Sequence, residues 1–284
     1  MAEPSKAVLI TGCSTGIGHA TALRLLQGGW KVYATARRPE TLASLEQAGA
    51  HTLALDVTDE DSMRAAVRSV EEREGAVGVL INNAGYSQSG AVETVPMESV
   101  RRQFETNVFG VVRLTQLVLG KMREQRWGRI VNIGSMGGRL TLPGGGHYHA
   151  TKYALEALSD ALRFELAGFG IAVVLLEPGL ITTSFGEAAA EAVAEVSGGE
   201  HDGPYANFNA AVGAITKGAY EGPMRHLGGG PDRVAKAIER AIGARRPPSR
   251  ITVTPSAKLM IGTRRLLSDR AWDAAMRRQF PAPG

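Results

Sequence analysis

Short apolar runs recur along the chain at 7 to 10, 31 to 36, 52 to 55, 77 to 81, 129 to 133 and 171 to 176. Each is rich in β-branched residues, and most of the stretches between them place apolar side chains at the three- and four-residue intervals of an amphipathic helix. Brief continuous apolar runs are what strands look like when helices cover both faces of a parallel sheet. The alternation therefore predicts βαβ crossovers and one α/β domain with a doubly wound parallel sheet and helices on both faces. In such a sheet ligands bind beyond the carboxyl ends of the strands, so the residues that follow each run are the ones to read for chemistry.

The first run ends in Thr11-Gly12-Cys13-Ser14-Thr15-Gly16-Ile17-Gly18, with a helix predicted from His19 to Gln27. Gly12 suits a tight turn, Gly16 lets backbone approach a pyrophosphate, and Gly18 lets helix and strand pack closely. The free N–H groups of the helix start would face the anion, with Ser14, Thr15 and Ile17 completing the loop. This strand–loop–helix context favours a dinucleotide and a Rossmann-type sheet, and the absence of Gly-Lys-Ser/Thr excludes a P-loop. The second run ends in Ala36-Arg37-Arg38, and the first acid, Glu40, comes late, beyond Pro39. A ribose 2′-phosphate needs a cation where an unphosphorylated ribose needs an acid, so NADP(H) is expected ahead of NAD(H), with Arg37 the better candidate contact.

Tyr148 and Lys152 lie four apart at the start of a strongly helical stretch, which puts phenol and ammonium on one helix face. An ammonium beside a phenol favours the phenolate, so the pair can shuttle a proton at a carbinol or carbonyl oxygen near neutral pH. His147 and His149 flank the tyrosine, but neighbours at i and i+2 diverge on a helix and no third ligand is near, so no metal is expected. His147 could line a substrate mouth. Ser135 lies in Gly-Ser-Met-Gly, which lacks the elbow motif of a serine hydrolase.

Composition narrows the class. At 284 residues, with 44% hydrophobic and 21% charged residues, the chain is that of an ordinary globular enzyme. It has no apolar run long enough to span a bilayer and no signal-peptide pattern at its start, and a cytoplasmic location is expected. Cys13 is the only cysteine, which rules out an intrachain disulfide and a cysteine zinc site. Residues 225 to 284 carry a net charge of +9 against −5 for the rest. That basic segment reads as a solvated face of C-terminal helices, with an anionic partner or membrane surface as the alternative, and nucleic acid is disfavoured because no stacking aromatics accompany it.

Taken together, the residues at 11 to 18, Asp56-Val57, Asn82-Asn83-Ala84-Gly85, Asn107, Ser135, Tyr148 with Lys152, and Pro178-Gly179 followed by Thr183 resemble the short-chain dehydrogenase/reductases in order and interval. Within that family the stretches at 11 to 18, 31 to 37 and 134 to 138 are similar to the estradiol 17-beta-dehydrogenase and retinol dehydrogenase branch. The resemblance implies an enzyme that moves a hydride between NADP(H) and a secondary alcohol or ketone, with an apolar steroid-, retinoid- or aliphatic-ketone-like substrate. Tyr148 would exchange the proton, Lys152 would assist it and hold the nicotinamide ribose, and Ser135 would donate to the substrate oxygen. Asn107, which as a buried amide needs partners, is implied to hold a water that links Lys152 to solvent. Asp56 and Val57 resemble the adenine contacts, although Asp56 could equally cap the next helix. Asn83, Ala84 and Gly85 would admit the adenosine ribose, and Asn83 could tie strands together. Pro178, Gly179, Ile181 and Thr183 are implied to meet the nicotinamide carboxamide.

Residues 184 to 230 read as a substrate lid, with Phe185, Val193, Tyr205, Phe208, Ile215, Tyr220, Met224 and Leu227 either facing the substrate or packing the lid's own core. Residues 231 to 284 follow as a basic C-terminal extension. On the helix from Tyr148 to Phe169, the stripe Ala150, Ala154, Ala157, Ala161 and Leu162 can cover the sheet, while Phe164 and Phe169 add a further apolar face. That face and one on the helix from Val108 to Met122 need covering by another subunit or by the chain's own C-terminal segment, and the resemblance implies a homodimer or homotetramer through these two helices. A dinucleotide-binding sensor or a scaffold on the same fold remains the alternative, and the intact Ser135, Tyr148 and Lys152 set argues against both.

Overall fold

The computed structural model describes residues 3–183, 185–186, 189, 203–222 and 226–283. Its strands are β1 (Val8–Ile10), β2 (Val32–Ala36), β3 (His51–Ala54), β4 (Val79–Asn82), β5 (Gly128–Ile133), β6 (Ile171–Glu177) and β7 (Arg250–Thr252). They form one parallel sheet in the order β3-β2-β1-β4-β5-β6-β7. Val8 of β1 lies opposite Val32 on one side and Val79 on the other. The order reverses between β1 and β4, and a crevice opens there at the strands' carboxyl ends.

The helices are α1 (Gly16–Gln27), α2 (Ala43–Gln47), α3 (Glu60–Glu74), α4 (Met97–Phe104), α5 (Gly110–Glu124), α6 (Gly146–Leu166), α7 (Ala206–Glu221), α8 (Pro231–Gly243), α9 (Pro255–Leu266) and α10 (Asp269–Arg277). Side chains alternate across the strands, so Val8 and Ile10 enter one core with Leu25 of α1 and Val234, Ile238 and Ile242 of α8. Leu9, Leu80 and Ile130 enter the other, with Val67 and Val70 of α3 and Leu114, Val118 and Met122 of α5. A third cluster joins Leu140, Phe208 and Val212 to Ile261, Trp272, Met276 and Phe280, and so seats α7 against α9 and α10.

The six predicted strands are present to within two residues at each end. β7 is an addition: three half-buried residues at the sheet edge carry too little pattern to be read. β3 is likewise an edge strand with partly exposed side chains rather than one buried on both faces. The segment from 231 onward is no appendage, because α8 supplies five buried residues and β7 completes the sheet against β6. Val193 and Met224 lie outside the described residues.

Candidate active site

The glycine-rich loop leaves β1 and enters α1 at Gly16, three residues before the predicted helix start. Gly16 has φ +61°, and a Cβ there would meet only Thr183, at 3.4 Å. Gly18 is required by contact: a Cβ would lie 2.3 Å from the Gly12 carbonyl oxygen and 2.6 Å from Asn83 Nδ2. Asn83 closes the loop from β4, its Nδ2 donating to the carbonyls of Thr11 at 2.8 Å and Gly12 at 2.9 Å. The backbone N–H groups of Asn83 and Ala84 both donate to Thr11 Oγ1 at 2.9 Å. Asn83 thus ties the β1 and β4 ends together, as its sequence position suggested it could.

One cavity of about 1060 Å³ runs along the carboxyl ends of the strands. Gly12, Ser14, Thr15, Gly16 and Ile17 line it, as do Arg37, Asp56, Val57, Asn83, Ala84 and Gly85. Its far end is lined by Ser135, Tyr148, Lys152, Pro178, Gly179, Ile181 and Thr183. Of the residues singled out in the sequence, Gly18 and Asn107 stand behind this wall, and His147 does not reach it. Among the described residues Arg37 makes no hydrogen bond or ion pair. Asp56 does not cap α3; its Oδ1 accepts from Thr58 N at 2.9 Å and Thr58 Oγ1 at 2.7 Å, while Asp59 is the cap, accepting from Ser62 N at 3.0 Å.

Tyr148 occupies the first turn of α6 and Lys152 the second. Lys152 Nζ donates to the Ile133 carbonyl at 2.9 Å and lies 5.7 Å from the centre of the Tyr148 ring. Ser135, at the end of β5, accepts from Gly137 N at 3.0 Å and hydrogen-bonds the Tyr148 phenol. Burial pushes that phenol above its ordinary value, the Ser135 bond opposes the rise and Tyr220 adds to it. Burial also pushes the Lys152 amine down, to about 8. Burial is the largest of these influences on the phenol.

Asn107 sits in a single π-helical turn, Glu105–Phe109, between α4 and α5. Its amide is tied to protein: Oδ1 accepts from Tyr86 N at 3.1 Å, and Nδ2 donates to the Tyr86 carbonyl at 2.9 Å and Thr151 Oγ1 at 3.2 Å. His149 is buried and held neutral, with Nδ1 donating to the Gly137 carbonyl at 2.9 Å and Nε2 accepting from Leu142 N at 3.2 Å. It clamps the loop before α6 and binds no metal in this arrangement. Burial pushes the Cys13 thiol up to about 12, which makes it inert.

The sequence reading missed several neighbours. Thr254 and Ser256, at the start of α9, accept from Gly179 N at 3.2 Å and Leu180 N at 3.1 Å, and so hold the Pro178-Gly179 turn. Arg250 donates to Glu156 at 2.9 Å and Asp160 at 2.5 Å, one and two turns beyond Lys152 on α6. Thr252 donates to Glu177, the residue before Pro178, at 2.8 Å. Tyr86, Arg102 and Phe280 also line the cavity. Phe185, Ile215 and Tyr220 line it too, whereas Tyr205 and Phe208 pack in the third cluster. The Phe185 ring lies 5.9 Å from that of Tyr148.

Residues 6–194 match the family described as short chain dehydrogenase. The chain belongs to the short-chain dehydrogenase/reductase family. Among its relatives, the 3-ketodihydrosphingosine reductase of Bacteroides thetaiotaomicron is 36% identical over 89% of each chain. The NADPH-dependent 3-dehydrocapnine reductase of Ornithobacterium rhinotracheale is 34% identical, over 93% of this chain and 94% of that one. A solved short-chain dehydrogenase from Streptomyces avermitilis superposes with a TM-score of 0.77 at 34% identity, over 98% of this chain and 99% of the other. The sheet described above is thus the fold of that family, whose members bind a nicotinamide dinucleotide.

The residues present fit such a cofactor. A Cβ at Gly16 would project into the gap before Thr183 that the cavity occupies. The first turn of α1 holds no acid, and Thr15 makes no side-chain cap bond there, so its N–H groups are left for an anion.

Proposed function

We propose that the protein is an NADP(H)-dependent oxidoreductase that interconverts a secondary alcohol and a ketone carried on an extended apolar substrate. The observation that carries this reading is the convergence of Ser135, Tyr148 and Lys152 at one end of a single cavity whose other end holds the unpaired Arg37. The cofactor, when bound, supplies or takes up the hydride at the carbinol carbon. Tyr148 gives its phenolic proton to the carbonyl oxygen in reduction and takes it back in oxidation. Ser135 donates to the same oxygen and steadies its developing charge. Lys152 holds the nicotinamide ribose and carries the positive charge beside Tyr148. Gly12, Ser14, Thr15, Gly16 and Ile17 cradle the pyrophosphate, with Gly18 packing behind them. Asp56 and Val57 meet the adenine, Asn83, Ala84 and Gly85 the adenosine ribose, and Pro178, Gly179, Ile181 and Thr183 the carboxamide. Arg37 takes the 2′-phosphate through a forked contact. Asn107 acts by holding Tyr86 and Thr151 around Lys152.

The apolar class of substrate rests on Leu142, Phe185, Val212, Ile215 and Phe280, which wall the cavity around Tyr148. The names of the two reductase relatives favour an aliphatic ketone over a steroid or retinoid. The test is to mix the protein with NADPH or NADH and straight-chain ketones of increasing length and follow cofactor absorbance. Turnover with NADPH that improves with chain length is expected. Binding of NADPH with no turnover on any ketone would favour the sensor instead.

A further inference from the structure

At the opposite pole of the sheet, where the strands begin, lies a second basin of about 750 Å³. Five cations line it: Lys6 before β1, Arg126 and Arg129 around the start of β5, and Arg245 and Arg246 between α8 and β7. Trp30 and Trp127 form its walls, and no acidic side chain lines it. These residues come from distant parts of the chain, so the charge is assembled by the fold rather than by a local basic run.

Arg129 is the deepest of them, at 7% exposure, and no carboxylate neutralises it. Its terminal nitrogens donate to the carbonyls of Gly128 at 2.9 Å and Ala244 at 3.3 Å, and its guanidinium lies 4.9 Å from the centre of the Trp127 ring. Its Nε is buried with no hydrogen-bond partner. A buried guanidinium with no carboxylate beside it is costly unless an anion comes within reach of its charge. Burial lowers its pKa with no opposing partner, which states the same cost in another form. Arg126 holds a left-handed φ of +54° just past the end of α5, where glycine would be cheaper, and donates to the Gly168 carbonyl at 3.0 Å. Of the five, only Lys6 has an acidic partner, Glu3 at 3.2 Å.

We propose that this basin is a second binding site, distinct from the candidate active site, that takes the phosphate group of a soluble small molecule. Guanidinium forks from several directions match a tetrahedral oxyanion, and the indole walls give the rest of the ligand a surface to stack on. A bilayer headgroup fits less well, because the deepest cation sits at the bottom of a concave basin that a flat surface does not enter. The competing account is that these cations merely cap the helix ends that converge at this pole. Capping accounts for the carbonyl contacts of Arg126 and Arg129, but not for Arg245 and Arg246, which are exposed and whose side chains make no hydrogen bond to a carbonyl among the described residues.

Calorimetric titration with pyrophosphate at low salt, of the full chain with NADPH saturating the glycine-rich loop, tests the proposal. One saturable site is expected, with affinity that falls as salt rises. The double variant Arg245→Ser/Arg246→Ser, changed only at exposed positions, should weaken it about tenfold or more, with ketone turnover unchanged. Arg129→Gln should weaken it as well, whereas Arg37→Asp should leave it intact. Absence of saturable binding would reduce the cations to helix caps and overturn the site. Binding that the double variant keeps and that NADPH displaces would place the probe in the dinucleotide cavity, with the same result. Binding to phosphatidylglycerol vesicles without binding to pyrophosphate would replace the proposal with a membrane contact.

Discussion

Arg37 ends β2 with no partner among the described residues, facing a cavity whose opposite end holds Tyr148. Replacing it with Asp turns a cation that attracts the 2′-phosphate into an acid that repels it and can accept from two ribose hydroxyls. The Arg37→Asp variant is expected to lose NADPH affinity by a factor of about 10 or more, on the scale of a lost charge-assisted hydrogen bond, and to gain on NADH. Equal NADPH titration curves for variant and wild type would place the phosphate elsewhere. The titration of the catalytic pair gives a second expectation. The raised phenol of Tyr148 stays protonated through the neutral range, so reduction keeps its acid there. Oxidation needs the phenolate, whose population grows as pH rises, so alcohol oxidation should climb from pH 7 upward while ketone reduction does not. An oxidation rate already level at pH 7 would contradict the burial that sets this order. At this scale the motif residues were legible because loop and helix bring them together over a few positions. Arg102 and Phe280 were not, because what brings them to the cavity is packing between segments far apart in the chain.

At the scale of elements, α6 carries the proton-transfer pair and is fixed by ions behind it. Arg250 on β7 bridges Glu156 and Asp160 of α6 and lies 3.7 Å from Glu177 at the end of β6. Arg250→Met would leave Glu156 and Glu177 buried with Arg139 as their one remaining cation among the described residues, at 3.4 and 3.8 Å, and with Thr252 still donating to Glu177. A loss on the order of 3 kcal/mol is expected, the scale for removing one partner of a buried ion pair. Urea unfolding measures it, and a change within error of zero would show that Arg139 suffices. Six strands were readable from apolar runs. β7 was not, although it supplies Arg250 and Thr252, because three residues at an edge carry no period. The π-helical turn at 105 to 109 was hidden for a related reason: one extra residue in one turn barely alters the helical pattern around it.

For the whole molecule, Ala150, Ala157 and Ala161 of the predicted stripe face outward, Ala154 is half-buried, and Leu162 packs against the core beneath α6 with the buried Leu166. Phe109, Tyr153 and Phe164 are exposed beside these alanines, Phe164 at 87%. Such a face on two adjacent helices supports a two-fold dimer in solution. Light scattering should give at least twice the 30.0 kDa chain mass, and a monomer at micromolar concentration would remove the dimer from this account. The sheet's class was legible from alternation alone, whereas the outward turn of the alanine stripe was not, since small residues suit a sheet and an interface equally. The central claim, proton transfer by Tyr148 during NADPH-dependent carbonyl reduction, is tested most directly by comparing Tyr148→Phe with wild type on a ketone the wild type accepts, under one set of conditions. Turnover should fall by a factor of about 100 or more, with NADPH affinity and thermal stability retained, whereas a variant that still reduces the ketone at a near-normal rate would contradict the claim.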